Sequence, residues 1–525
     1  MRPPCDEAVI RSQIATAPCR KKTGVWVLAA TILASSMAFI DSTVVNVALP
    51  ALQNSFGASV VGVQWVVESY GLTLAALILV GGSMGDLFGR RRMFLVGVAI
   101  FAIASMACGL AASLGQLIVF RGIQGIGAAF MIPGSLALIS ASFEENERGR
   151  AIGTWSGSTA ITTAIGPVLG GWLIEHLSWR WDFFINLPMA TAATAIALWH
   201  VSESRSKQQQ RKIDWWGTLA GTLGLTGLVF GFLESTSLGW EDPLVAGSLV
   251  AGVTCLAVFP FIESRVASPI VPLSLFRSRA FSGANLLTLL LYAAVGFFFF
   301  VLPLDLIQVR GYSATAAGAA VLPLILLMFL LSRWSGGLVD RYGARLPLMI
   351  GPFIAAVGFF LFSVPLTGRS YWSTFFPAIV VLGLGMAVSV APLTTVVMKA
   401  VDQDRVGTAS GVNNAVARVA SLLAIAVLGS ILVLEFSNQL NRRLANVAMP
   451  AAVRAELQSN EIKLAAMKIP SGIEPAKAAA INSSILSSFE FSFRLMMWIS
   501  TALALASSAV AWRTIPGNRN SSQNR

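Results

Sequence analysis

Fourteen stretches of this chain are apolar for about 20 residues each, the length that crosses a hydrocarbon core as a helix. Nothing else in the sequence constrains the fold as much. In lipid every backbone N–H and C=O must be bonded inside the protein, which leaves helices or closed barrels. Runs of this length are helical. They cover roughly 25–47, 61–82, 93–113, 116–139, 151–174, 183–201, 214–236, 244–262, 281–302, 314–335, 347–366, 372–398, 408–434 and 491–513. An all-α integral membrane protein follows. A composition of 55% hydrophobic and 12% charged residues excludes an ordinary soluble domain.

A formal charge of +12 raises the question of nucleic acid, but the distribution answers it. Of the 37 Lys and Arg residues, 24 fall in the alternate loops and the two tails, and only Arg180, Arg310 and Arg369 in the short loops between them. That is the positive-inside pattern, and no basic domain exists to bind nucleic acid. Both termini are therefore expected in the cytoplasm. The organisation expected is a disordered tail at 1–24, six spans over 25–201, a charged linker at 202–213, two further spans over 214–262, a cytoplasmic loop at 263–280, six more spans over 281–513 and a tail at 514–525. Segment 435–490, too long to obey the charge rule, is expected outside as a loop with some amphipathic helix.

Between spans 2 and 3 lies a polar hairpin, Gly82-Ser-Met-Gly85-Asp86-Leu-Phe-Gly89-Arg90-Arg91-Arg92. Gly89 permits a turn that a Cβ would resist, and Asp86 is placed to cap the next helix and pair with arginine. A degraded copy, Gly336-Gly337-Leu-Val-Asp340-Arg341-Tyr-Gly343-Ala-Arg345, recurs after span 10. The stretch resembles the loop signature of the major facilitator superfamily of transporters, and its recurrence is the duplication such a transporter carries. Asp41-Ser-Thr43-Val-Val-Asn46-Val-Ala-Leu-Pro50 resembles the span-1 signature of the fourteen-span drug:proton antiporter branch. The resemblance implies a major facilitator fold, two six-helix bundles plus two inserted central spans, and the export of small compounds such as drugs in exchange for protons.

Candidate site residues follow from charge inside apolar runs, which defaults to function. Asp41, Glu68 and Arg121 fall at one depth by helical rise and are expected to form a proton-coupling cluster. Arg121-Gly-Ile-Gln124-Gly125-Ile-Gly127 is similar to the superfamily's span-4 motif. Asn46, Trp65, Gln124, Asn285, Tyr292, Asn413 and Arg418 are expected to line the substrate cavity, with no buried acid in the second half in view as a partner for Arg418. Gly82, Asp86, Gly89, Arg90, Asp340 and Arg341 form the expected conformational latch. In span 5, Gly157, Gly166, Pro167 and Gly170 resemble the antiporter signature, although Thr162 stands where the family pattern has glycine. Ordinary close packing explains the same glycines. Phe297 to Phe300 are expected to face core or lipid, and Asp305 is placed at the outer rim, where solvent suffices.

No phosphate-cradling loop, metal-ligand spacing or nucleophile triad occurs, so no cofactor is called for and a gradient must supply the energy. The partners implied are a small-molecule substrate, protons and the bilayer, with accessory export subunits left open. Two other functions compete: import of a metabolite by symport or facilitation, and a polytopic membrane enzyme. The span-1 and span-5 signatures oppose the first, and the lack of a catalytic constellation in 435–490 opposes the second.

Overall fold

The computed structural model describes residues 21–204, 214–266, 269–364, 370–401, 406–445, 447, 449–467, 469 and 473–516. Fourteen helices among them are long and apolar enough to cross a membrane. They are α1 (Lys21–Phe56), α2 (Val60–Phe88), α3 (Arg90–Leu110), α4 (Leu114–Ser142), α5 (Glu145–His176), α6 (Asn186–His200), α7 (Trp215–Leu238), α8 (Pro243–Arg265), α9 (Arg279–Leu304), α10 (Leu322–Tyr342), α11 (Arg345–Ser363), α12 (Phe376–Lys399), α13 (Val406–Leu444) and α14 (Pro475–Thr514). Short helical pieces at Trp181–Phe184 and Ala314–Ala320 lead into α6 and α10.

Polar residues set the helix ends, because the first N–H groups of a helix need acceptors that the helix cannot supply. Ser59 accepts from Gly62 N at 3.1 Å to open α2, and Asp214 from Gly217 N at 2.7 Å to open α7. Asp242 caps α8 just ahead of Pro243, whose missing N–H is no loss at a first turn. Inside the helices, small residues let backbones approach. A Cβ on Gly81 would overlap the Ala129 carbonyl of α4, and one on Gly385 would fall on Ala355 of α11.

In the first half α1 packs on α5, and α2 and α3 pack on α4; in the second half α11 packs on α12 and α14, and α9 on α13 and α14. Helix α7 lies between the halves. Its Leu225, Val229 and Leu233 share a buried cluster with Val61 and Leu72 of α2 and with Leu422 and Ala426 of α13. The two hairpins lie at one end of the molecule. At the opposite end the halves are joined by hydrogen bonds from Gln308 Nε2 to Gln53 Oε1 (2.7 Å) and from Thr315 Oγ1 to Glu175 Oε2 (2.6 Å). Gln64 of α2 donates to the Ile425 carbonyl of α13 near the same end.

Segment 435–490 is mostly helix. Helix α13 continues to Leu444 and α14 begins at Pro475, so both rise well past the apolar runs that revealed them. Between them Ala451–Ser459 forms a short helix, and Leu457, Leu464 and Met467 bury against the second-half core. Phe297, Phe298 and Phe300 are fully buried in that core, as the sequence suggested.

Candidate functional site

The first half holds a buried ion pair. Arg121 Nη1 of α4 donates to Asp41 Oδ2 of α1 at 2.5 Å, and both side chains are essentially inaccessible. Arg121 Nη1 also reaches Gln124 Oε1 at 2.7 Å, and Arg121 Nε the Val66 carbonyl of α2 at 3.1 Å. Its guanidinium carbon lies 4.3 Å from the centre of the Tyr70 ring, a cation–π contact. Gln124 Nε2 donates to Asp41 Oδ1 at 2.8 Å, and Asn186 Nδ2 of α6 lies 3.5 Å from the same oxygen while donating to Ser105 Oγ at 3.0 Å. Such a pair is tolerated because both Asp41 oxygens accept hydrogen bonds and Arg121 donates to three oxygen partners. Gln124 therefore belongs to this cluster and not to a substrate cavity. Tyr70, Ser105 and Asn186 were missed in the sequence. An amide inside an apolar run was the available signal for Asn186.

Glu68 is not part of the cluster. It is buried, and neither carboxylate oxygen has a hydrogen-bond partner among the described residues. Depth was right and face was wrong. Val66 and Tyr70 turn toward Arg121, and Glu68 lies two residues from each, about 200° around the helix at 3.6 residues per turn. It shares the α2 face of Val61, Gln64 and Leu72, which meets α7 and α13. Trp65 is likewise turned away from any central cavity: its indole N–H donates to Glu234 Oε1 of α7 at 2.8 Å.

Asn46 faces the contact between the two halves. With Thr43, Pro167, Phe299, Leu302 and Ala317 it lines a small cavity between α1 and α5 of one half and α9 and the 314–320 piece of the other. Asn46 Nδ2 donates to Ser42 O at 3.2 Å and its Oδ1 has no partner among the described residues. Asn413 of α13 donates to Asn285 Oδ1 (3.2 Å) and Thr288 Oγ1 (2.7 Å) of α9, so these two amides close on each other within the second half. Tyr292 is half-buried, and its carbonyl accepts from Ser421 of α13. Arg418 is partly buried, with no acidic partner among the described residues; Tyr70 lies within its electrostatic reach across the seam. Asp305 is not at a solvated rim. It is inaccessible, opens a π-helical turn at Asp305–Val309, and among the described residues has only Arg310 Nε, at 3.4 Å, on one oxygen.

Along α5, Gly166 and Gly170 bring that helix against α1. A Cβ at Gly170 would stand 2.5 Å from Val44, and one at Gly166 would overlap Thr43. Gly157 faces Phe329 of α10, and the Pro167 carbonyl meets Gly318 so closely that a Cβ there would overlap it.

At the hairpin end, Gly89 has φ +110°, a conformation that favours glycine, and a Cβ on it would sit 2.8 Å from Glu203. Glu203, just after α6, caps the start of α3. Its two oxygens accept from Arg91 N and Arg92 N at 3.1 Å each, and Arg90 N donates to Ser204 O at 3.0 Å. Asp86 lies within α2 and Gly82 is half-buried near Pro133; the side chains of Asp86 and Asp340 fall outside the described residues. In the second hairpin Gly343 turns with φ +76° and Arg341 is exposed over the Tyr342 ring.

The family model of the Major Facilitator Superfamily matches residues 31–425. Multidrug resistance protein Stp of Mycobacterium tuberculosis is 36% identical over 439 residues, covering 82% of this chain and 80% of the relative. The tetracenomycin C resistance and export protein of Streptomyces glaucescens is 33% identical over 480 residues, covering 90% and 88%. Among solved structures, a bacterial homologue of the human lysosomal transporter Spinster matches with a TM-score of 0.62 at 18% identity, covering 95% of this chain and 100% of that one. The shared fold, the fourteen spans and the family match together make this chain a multi-pass membrane transporter of the Major Facilitator Superfamily.

Proposed function

We propose that the chain exports small lipophilic or cationic compounds, drugs among them, across the cell membrane in exchange for protons. The buried Asp41–Arg121 pair carries this reading. A proton arriving at Asp41 neutralises it, cancels its hold on Arg121 and frees the α1–α4 contact to rearrange. Relatives named for multidrug and antibiotic resistance and export support the direction of transport. With the arginine-rich hairpins in the cytoplasm, the joined end of the molecule is the outer one. The six-helix units 25–201 and 281–513 would then rock about the seam lined by Asn46 and Arg418. Glu68, in its own apolar seam, is a separate proton carrier rather than a partner of Asp41. One charge moved across 100 mV is worth about 2.3 kcal/mol, enough to drive export before any pH gradient is added.

The test is reconstitution of Asp41→Asn and Glu68→Gln separately, with substrate-induced proton release recorded beside uphill and downhill flux. Loss of uphill export with retained downhill exchange marks the proton carrier. If both variants still concentrate substrate with normal proton release, the proton site lies elsewhere.

A further inference from the structure

Asp182 is a buried acid beside the Asp41 cluster that the mechanism above leaves unused. It sits in the turn Trp181–Phe184 leading into α6, only 1% exposed, and neither carboxylate oxygen has a partner among the described residues. A helix-capping role does not account for it. The N–H groups of Trp181, Asp182, Phe183, Phe184 and Ile185 are all bonded to carbonyls at Ser178 to Trp181. Among the described residues, the charged and titratable groups around the turn have partners of their own. Arg180 donates to the Gly109 and Ala111 carbonyls of α3 at 2.9 and 2.8 Å. From α5, Glu175 takes the Thr315 hydroxyl and His176 stacks on Trp172. Helix α3 presents Ser105, which donates to the Phe183 carbonyl, and the Cys108 thiol, which meets Gln124. Arg121 of α4 is engaged by Asp41. Asp41, held by Arg121 and Gln124, lies within Coulombic reach of Asp182, and Asn186, one helical turn past Asp182, touches Asp41 Oδ1.

The site thus holds two carboxyl groups and one arginine. With Asp41 paired to Arg121, an ionised Asp182 would be a buried charge without a donor, which proteins avoid by neutralising the group. One proton in the cluster keeps the buried charge at zero, and that proton has two seats. We propose that Asp182 is the outer seat of a proton shared with Asp41, on the path from the joined end of the molecule. In the transfer the Asp182 O–H bond breaks, a water molecule entering from the aqueous side takes that proton and gives up one of its own, and an O–H bond forms at Asp41. Asp182 is left as the carboxylate counter-ion for Arg121 until it is reprotonated from the aqueous side. This rests on the proton-coupled reading above.

Infrared spectroscopy of the purified full-length protein in lipid tests it without any substrate. At neutral pH the wild type should show a carbonyl band of a protonated, dry carboxyl that is lost in both Asp182→Asn and Asp182→Leu. In Asp41→Asn, where Asp182 becomes the counter-ion of Arg121, most of that same component should be gone. If the spectra of wild type and both Asp182 variants coincide, Asp182 holds no proton and the proposal fails. If the Asp182 band survives intact in Asp41→Asn, the two acids are independent and the shared seat is refuted. Proton antiport itself is judged separately, by substrate-induced proton release in the wild type, so the failure of either idea is distinguishable. Both Asp182 variants should fold, because no hydrogen bond is lost in either.

Discussion

Removing one or the other member of the Asp41–Arg121 pair should have unequal effects. Breaking a buried pair from one side costs about 3–5 kcal/mol, because the survivor is left uncompensated. The survivors differ here. In Arg121→Met, Asp41 keeps the Gln124 amide at 2.8 Å and can also accept a proton, so the cost should fall near about 3 kcal/mol. In Asp41→Leu, Arg121 keeps Val66 O, Gln124 Oε1 and the Tyr70 ring, but a guanidinium cannot shed its charge, and Asp182, which would have to ionise to balance it, has no donor among the described residues. That cost should sit near about 5 kcal/mol. The double variant, with a well-filled apolar core in place of the pair, should lie within about 2 kcal/mol of the wild type. Equilibrium unfolding in mixed micelles would measure all three. A double variant as unstable as either single one, or equal single defects, would refute the reasoning.

Three further outcomes follow from other parts of the molecule. Glu203→Gln removes one of the two oxygens capping α3 and should cost about 0.5–2 kcal/mol in the same unfolding assay, with Gly89→Ala at least as damaging through φ and Glu203 together. Gly318→Ala should force the 314–320 piece off the Pro167 carbonyl and favour opening of the joined end, read as several-fold faster labelling of a cysteine at Asn46 by an impermeant reagent from outside; unchanged labelling would count against that end as a gate. Burial pushes the Glu461 carboxyl, in the segment between α13 and α14, above the usual range. An acid raised in the folded state lowers stability as pH climbs past its unfolded value, so Glu461→Gln should stabilise near pH 8 and do little near pH 4, by thermal unfolding.

The spans and both hairpins were legible because apolar length and charge placement do not depend on which way a side chain faces. What failed was azimuth. A helix buried on all sides carries little periodic contrast, so depth placed Glu68 level with Arg121 while nothing in the sequence showed that it lies on the other face of α2. Trp65 failed the same way, toward Glu234. The extensions of α13 and α14 were invisible to an apolar-run criterion, since Leu457, Leu464 and Met467 bury through tertiary packing from a polar stretch. Glu203 went unseen as a cap of α3 because helix ends can be completed by residues more than a hundred positions away. Asp305 carried no warning at all, because the π-turn that buries it has no signature in the sequence.

Helix α7 also has a kinematic consequence. It is fastened to α2 through Trp65 and Glu234 and to α13 through Ser430 and the Phe232 carbonyl. All four residues lie toward the joined end of the molecule. Two bodies that separate there by rotation must strain one fastening or drag α7 along with one of them, so the inserted hairpin acts as a splint across a single flank. On the flank formed by α5 and the 314–320 piece, which meet directly through Thr315 and Glu175, no third helix bridges the halves among the described residues. Separation at that end is therefore lopsided, with the hinge line displaced toward α7 and the wider gape on the α5 side.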